Sequence, residues 1–310
     1  MGRRNLLLCF DAFGTLFSPK RPIAEQYAAV ARQCGLDGFG TEDVQASFKA
    51  AFSSETKAHP NYGKASGMGA PTWWTNVIHK TFQPLAGAAE LPKDLAPRLL
   101  HRFTSSEGYS LSPGVASLLR SFKQQQQRDS PRLIVGVITN SDDRVPSVLS
   151  SFGLRVSPLR AGTPYDPAEV AGQQYDIDLH CMSYDIGFAK PDRRIFDAAE
   201  DLANQLVAVQ AAASSRQDIS LEQETVPWLK LYVGDEYEKD VIGASRAGWN
   251  PVFVGAREDL AGRENISDLD QLGGRALEEL FPREGLSLTI RAESTQNVLE
   301  WLTKQYSRET

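Results

Sequence analysis

An α/β fold with a doubly wound parallel sheet is the fold class this sequence predicts, and three observations predict it. Short apolar runs bounded by turn residues recur at 6–10, 133–138, 179–182, 231–233 and 252–254. Runs of this length without polar alternation are how strands buried on both faces read. Helical patterns separate them, at 113–123, 145–152, 194–207 and 241–247, and strand alternating with helix is the pattern of a doubly wound sheet. Asp11, Thr139 and Asp235 each stand at or just past the end of an apolar run. Ligands of such sheets bind outside the carboxyl ends of the strands, so these three polar groups are expected at one edge.

The elements follow in chain order. Residues 6–10 are apolar and deliver one carboxylate, Asp11, to a tight turn containing Gly14, Thr15 and Leu16. Residues 18–112 then break the alternation with helical patterns at 23–33, 41–55, 72–82 and 91–105 and no clear strand. We read them as a helical cap, a second domain (18–112) inserted into a core made of 1–17 and 113–310. Within that core, 158–175 is rich in Gly, Pro and Asp and is expected to be a loop. Residues 211–227 are polar with small side chains and are expected to form an exposed insertion. The glutamine run 124–127 is expected at the solvated end of a helix.

Composition limits the function classes. The chain has 310 residues, 41% of them hydrophobic, a net charge of -6 and a pI near 5.4. That apolar fraction supports a full core. The acidic balance argues against nucleic acid as a partner, because phosphate backbones attract basic surfaces. No stretch reaches the roughly 18 apolar residues of a membrane helix, and Asp11 ends the first apolar run too early for a signal peptide. Gly2 lacks the Ser or Thr at position 6 that myristoylation requires, Leu6 standing there instead. Cys9, Cys34 and Cys181 are sparse and odd in number, which fits a reducing compartment rather than a disulfide framework. The expected location is the cytoplasm, with the nucleus also open.

The chemistry is readable from residue types. A carboxylate at a strand end can attack phosphorus or carbon and form a covalent ester. Thr139, closing "LIVGVIT", offers a hydroxyl to a non-bridging oxygen. Lys190, in "GFAKPD" and held in a turn by Pro191, offers an ammonium that balances Asp11 and an anionic substrate. In "LYVGDEYEKD", Asp235 follows a strand and Asp240 comes five residues later. Clustered carboxylates suit Mg2+, a hard cation that prefers oxygen.

In this order the four segments resemble the haloacid dehalogenase (HAD) superfamily of hydrolases. "DAFGTL" is similar to its first motif, "VITN" to its second, "KPDRRIF" to its third and "VGDEYEKDVIGASRAGW" to its fourth. The segment "HPNYGKASGMGAPTWWTNVIHKTF", residues 59–82, resembles a eukaryotic subgroup whose members are called haloacid dehalogenase-like hydrolase domain-containing proteins. The resemblance implies a Rossmann-like core with an inserted helical cap. It implies Asp11 as nucleophile, Thr139 with Asn140 as binders of the transferred group, and Lys190 as charge balance. It further implies Asp235 and the backbone carbonyl of Phe13 as Mg2+ ligands beside Asp11, with Asp240 supporting the metal or its waters. The implied reaction is hydrolysis of a small phosphorylated metabolite through an aspartyl-phosphate.

One position departs from the phosphatase pattern. Those enzymes carry an aspartate two residues after the nucleophile as general acid and base, and here that residue is Phe13. Such help is worth roughly 10²–10⁴-fold in rate. Three readings follow. The first is a Mg2+-dependent phosphatase suited to good leaving groups, or one in which His59, Tyr62 or His79 takes over proton transfer. The second is a metal-free 2-haloacid dehalogenase, where halide leaves without a proton. The third is a binding protein of little activity. Asp235 and Asp240 favour the first, because carboxylates crowded beside Asp11 repel one another without a cation. Trp73 and Trp74 are adjacent on a helical pattern and are expected mainly to pack.

Overall fold

Strand β1 (Asn5–Phe10) shows why the apolar runs become a sheet: Leu6 to Phe10 are fully buried, so every side chain on both of its faces needs a protein neighbour. The computed structural model describes residues 4–124, 132–214, 228–273, 275, 277–281 and 288–307. Nine strands occur among them. After β1 come β2 (Phe17–Pro19), β3 (Tyr109–Leu111), β4 (Leu133–Thr139), β5 (Leu179–Met182), β6 (Trp228–Gly234), β7 (Asn250–Val254), β8 (Ile266–Asp268) and β9 (Thr289–Ala292). Seven form one sheet in the order β5-β4-β1-β6-β7-β9-β8, and every neighbouring pair is parallel. β2 and β3 form a separate two-stranded sheet. The α/β, doubly wound reading therefore holds.

The topology places the site. β1 lies between β4 and β6, with Leu6 opposite both Leu133 and Leu229. Strands drawn from the start, middle and later part of the chain thus end side by side, bringing Asp11, Thr139 and Asp235 to one carboxyl edge. One face of the sheet is covered by helix Arg193–Ser214, whose Ile195, Phe196, Ala199 and Leu202 pack with Leu7, Cys9, Ile138 and Tyr232. Burying such side chains contributes roughly 1.5–3 kcal/mol each before entropy is subtracted.

The chain divides into two compact units. One consists of Met1–Phe17, Leu111–Asn140 and Gly153–Thr310; the other of Ser18–Ser110 and Ser141–Phe152. The helical unit contains Ile23–Gln33, Thr41–Ala58, Ala70–Ala86 and Leu95–Phe103. Its interior is aromatic: Tyr27 stacks on Phe82 and meets Phe48 and Phe103, while Trp73 is buried against Phe52, Tyr62 and Trp74.

The division departs from the sequence reading in one segment. Residues 141–152, assigned there to the core, belong to the helical unit. The reason is a set of polar contacts that the apolar pattern could not reveal. The Trp74 indole donates to Asp142 at 2.6 Å, and the Arg144 guanidinium lies 4.1 Å from the centre of the Trp74 ring and pairs with Asp142 at 3.0 Å. Two smaller corrections concern the expected loop and the expected helix. Within 158–175, Pro167–Gly172 is a helix, started by the Asp166 side chain, which accepts from the Ala168 amide. The helix expected at 241–247 begins earlier, as a π-helical turn at Tyr237–Ile242 that leads into Gly243–Arg246. Of the expected insertion, 211–214 continue the long helix, and 215–227 lie outside the described residues. So does 125–127 of the glutamine run, while Gln124 ends helix Val115–Gln124. No helix among the described residues is long and apolar enough to cross a membrane.

Candidate active site

β1 ends by handing Asp11 to the sheet edge. Its amide donates to the Val233 carbonyl at 2.8 Å, and its own Oδ1 accepts from the Ala12 amide at 2.8 Å. The next six residues form a tight loop in which Leu16 and Phe17 both donate to the Ala12 carbonyl, and Gly14 donates to the Phe17 carbonyl. Gly14 has φ +84°, and a Cβ there would come within 2.1 Å of an Asp235 carboxylate oxygen. Glycine is required on both counts: the left-handed backbone, and the space Asp235 takes.

Asp235 follows β6. Its Oδ1 accepts from the Thr15 hydroxyl at 2.9 Å. Burial, opposed by that hydrogen bond and reinforced by Asp11 and Asp240, pushes its carboxyl up to about 6. Asp240 reaches back from the π-helical turn: its Oδ2 accepts from the Glu236 amide at 2.9 Å. A Cβ on Gly234 would sit 2.3 Å from Asp240, so glycine before Asp235 makes room for the second acid. Single π-turns inside helices often mark functional sites. One oxygen each from Asp11, Asp235 and Asp240 lies within 4.8 Å of the others.

Lys190 enters this cluster from below. It is 4% exposed, and its Nζ stands 3.0 Å from Asp11 and 2.7 Å from Asp240. It also donates to the Tyr232 hydroxyl at 2.7 Å, which in turn donates to the Ile138 carbonyl at 2.7 Å. Burial alone would lower its pKa, but Asp11 and Asp240 more than offset this, so it is raised and the ammonium persists. Burial, with Asp240 and Asp11 beside it, raises the Tyr232 phenol well above its usual range, so it stays protonated and can relay that chain of hydrogen bonds. Thr139, 2% exposed, is the last residue of β4 and pairs with Met182.

The structure thus brings together Asp11, Thr139, Lys190, Asp235 and Asp240, all in the sheet-bearing unit. Asn140 is at this edge too, and it also braces the lysine loop. Its Oδ1 accepts from the Lys190 amide at 2.6 Å and its Nδ2 donates to the Lys190 carbonyl at 3.0 Å. Both ends of the amide bond the Lys190 backbone, so Asn140 holds the lysine loop, and one amide N–H is left for a further acceptor. The Phe13 ring is half-buried and meets Phe17 edge-on, with ring centres 4.7 Å apart. In the helical unit, His59 lies 3.9 Å from Glu55, Tyr62 packs among Trp73 and Trp74, and His79 is exposed.

This arrangement matches a known family. A family model for haloacid dehalogenase-like hydrolases matches residues 6–248. The chain belongs to the haloacid dehalogenase-like hydrolases. Its relatives include an uncharacterised hydrolase of Schizosaccharomyces pombe, 29% identical over 247 residues covering 80% of this chain and 89% of the relative. Bovine haloacid dehalogenase-like hydrolase domain-containing protein 3 is 28% identical over 256 residues, covering 82% of this chain and 83% of its own. Among solved structures, a defluorinating L-2-haloacid dehalogenase superposes with a TM-score of 0.51 at 14% identity, covering 97% and 96% of the two chains. The HAD-hydrolase YfnB from Bacillus subtilis bound to magnesium gives 0.50 at 15%, covering 97% and 99%. At such identities the structural likeness speaks for the fold.

Two side chains of this HAD-like hydrolase escaped sequence reasoning. Thr15 looked like turn chemistry, yet its hydroxyl orients Asp235. Tyr232 read as one apolar position in "LKLYVGD", yet its hydroxyl links Lys190 and Asp240 to β4. The only available signal was a phenol inside a strand expected to be buried, because buried phenols usually find a hydrogen-bond partner.

Proposed function

We propose that this hydrolase is a Mg2+-dependent phosphatase acting on a small phosphorylated molecule through an aspartyl-phosphate on Asp11. The observation that carries this reading is the cluster of three carboxylates whose oxygens approach within 4.8 Å while one ammonium, Lys190, stands among them. Three negative charges against one positive leave an excess that a hard cation with oxygen ligands would neutralise. The donor set is all oxygen, which fits Mg2+. Asp11, Asp235 and the Phe13 carbonyl would hold it, and Asp240 would orient its waters. When bound, it supplies the positive charge that lets an anionic phosphate approach an anionic nucleophile.

The remaining chemistry belongs to the chain. Asp11 attacks phosphorus, a bond forms from its carboxylate oxygen to phosphorus, and the bond to the leaving oxygen breaks. The Thr139 hydroxyl and Lys190 ammonium hold the non-bridging oxygens as charge moves onto them. Tyr232 and Asn140 keep Lys190 in place. Water then attacks the same phosphorus and loses one proton to solvent, the bond from phosphorus to the Asp11 oxygen breaks, and Asp11 is restored as hydrogen phosphate departs. Phe13 cannot protonate the departing oxygen, so leaving groups stable as anions, such as aryl or acyl phosphates, suit this site best. The substrate class is therefore an activated phosphorylated metabolite.

The aromatic at position 13 favours a second reading, metal-free dehalogenation, in which Asp11 attacks carbon and halide leaves without a proton. One experiment separates the two: hydrolysis of p-nitrophenyl phosphate with Mg2+ and with EDTA, beside halide release from 2-chloropropionate in EDTA. Mg2+-dependent release of nitrophenol, lost in Asp11→Asn, supports the phosphatase reading. Halide release in EDTA without phosphate hydrolysis would overturn it.

A further inference from the structure

A polar cavity lies in the sheet-bearing unit at the end of the sheet opposite Asp11. It has a volume of about 420 Å³ and is lined by Arg120, Lys123, Arg132, Arg155, Tyr175 and Asp178, at the mouth of β4. β4 runs from Leu133 beside this cavity to Thr139 at the catalytic edge. At roughly 3.3 Å per residue the two sites are therefore about 20 Å apart. Its volume falls in the range of small-molecule sites.

Among the described residues four cations line it, in a chain whose net charge is -6. Two buried acids hold three of them in place. Asp176 accepts from the Arg155 amide at 2.8 Å, from the Arg155 guanidinium at 3.1 Å and from Arg120 at 3.3 Å. Asp178 takes Lys123 and the Val135 amide, at 2.5 and 2.8 Å. Arg132 pairs instead with the neutral amide of Gln210, at 3.4 Å. Among the described residues, four positive charges less two negative leave a local excess of two. Clamping by buried acids fixes these cations, so a ligand finds them already arranged.

We propose that this cavity is an anion site for a small molecule bearing a diphosphate group, separate from the hydrolytic centre. Four cations around one cavity can engage the oxygens of two adjacent phosphates, and guanidinium groups recognise such oxygens through paired N–H donors. The test is calorimetric titration of inorganic pyrophosphate into the full chain in EDTA, where the unneutralised carboxylates at Asp11 repel the anion. Arg132→Ala removes an exposed cation that no buried acid depends on. It is expected to weaken pyrophosphate binding at least about tenfold, while Mg2+-dependent p-nitrophenyl phosphate hydrolysis is unchanged. Amide-exchange protection by pyrophosphate is expected at 133–137 and 174–179 rather than at 11–16. Binding of equal strength in wild type and Arg132→Ala, absence of binding to the wild type, or protection confined to 11–16 would each overturn the proposal.

Discussion

Replacing Lys190 by Met isolates the electrostatics of the catalytic edge. The ammonium is buried, 3.0 Å from Asp11 and 2.7 Å from Asp240. With it, the cluster of Asp11, Asp235 and Asp240 carries -3 + 1 = -2; without it, -3. Removing one partner of a buried ion pair costs about 3–5 kcal/mol, because the other charges stay buried and uncompensated. For a chain of this size that lowers the unfolding temperature by about 10 °C in EDTA. The same excess charge attracts a divalent cation more strongly. Mg2+ should therefore raise the melting temperature of Lys190→Met by more than it raises that of the wild type, as linkage requires of a tighter ligand. Tryptophan fluorescence on heating, with EDTA and with Mg2+, reads both effects. A variant as stable as wild type in EDTA, or one whose Mg2+ shift is no larger, would refute the account of a lysine that holds mutually repelling carboxylates together.

Further outcomes follow from other residues. Gly14→Ala forces a side chain onto φ +84° and into the Asp235 carboxylate. It should cost about 1–3 kcal/mol in melting experiments and lower Mg2+-dependent turnover at least about tenfold. Asp235→Asn should abolish any stabilisation by Mg2+ while leaving a folded protein; equal Mg2+ shifts in variant and wild type would place the metal elsewhere. Phe13→Asp should speed hydrolysis of alkyl phosphates, whose leaving groups need a proton, by up to roughly 10²-fold; steady-state rates no higher than wild type would count against it. His180 is fully buried on β5, and neither ring nitrogen has a hydrogen-bond partner among the described residues. Burial lowers its pKa from 6.5 to about 4, against a rise from the Leu159 backbone and with a further lowering by Arg160. The unfolded chain then binds the proton more readily. The stability His180 allows is complete above pH 6.5 and is lost as pH falls toward 4, by about 2 kcal/mol at pH 5. Denaturant midpoints at pH 7.5 and 5 should show this loss, and His180→Leu should reduce it.

Much of the architecture was legible because burial on both faces leaves a strong mark. β1, β4 and β6 are apolar almost throughout, and Asp11, Thr139 and Asp235 interrupt them at the ends. β8 and β9 left no such mark: Ile266–Asp268 and Thr289–Ala292 are three and four residues long and carry Ser, Asp, Thr and Arg. Their polar groups are used, since Arg291 and Arg257 both pair with Asp268. At the site, residue types revealed the acids and the lysine, but not who touches whom. Asn140 reads equally well as a ligand donor or as a brace, and only the structure reveals the brace, in its two bonds to the Lys190 backbone. The assignment of 141–152 likewise rests on Trp74, Asp142 and Arg144, a polar knot between segments almost seventy residues apart in sequence.

The central place of β1 has a consequence for how the protein is made. Asp11 follows β1, but β6, which pairs along one side of that strand, starts only at Trp228, more than two hundred residues later. Until β6 has been synthesised, β1 can pair only with β4 and keeps one long apolar edge open. Open edges of that kind recruit other chains. Synthesis arrested before residue 228 should therefore yield aggregating fragments with no hydrolytic activity, and the enzyme's yield in a cell should depend on chaperones that shelter the first strand while its partner is still being translated.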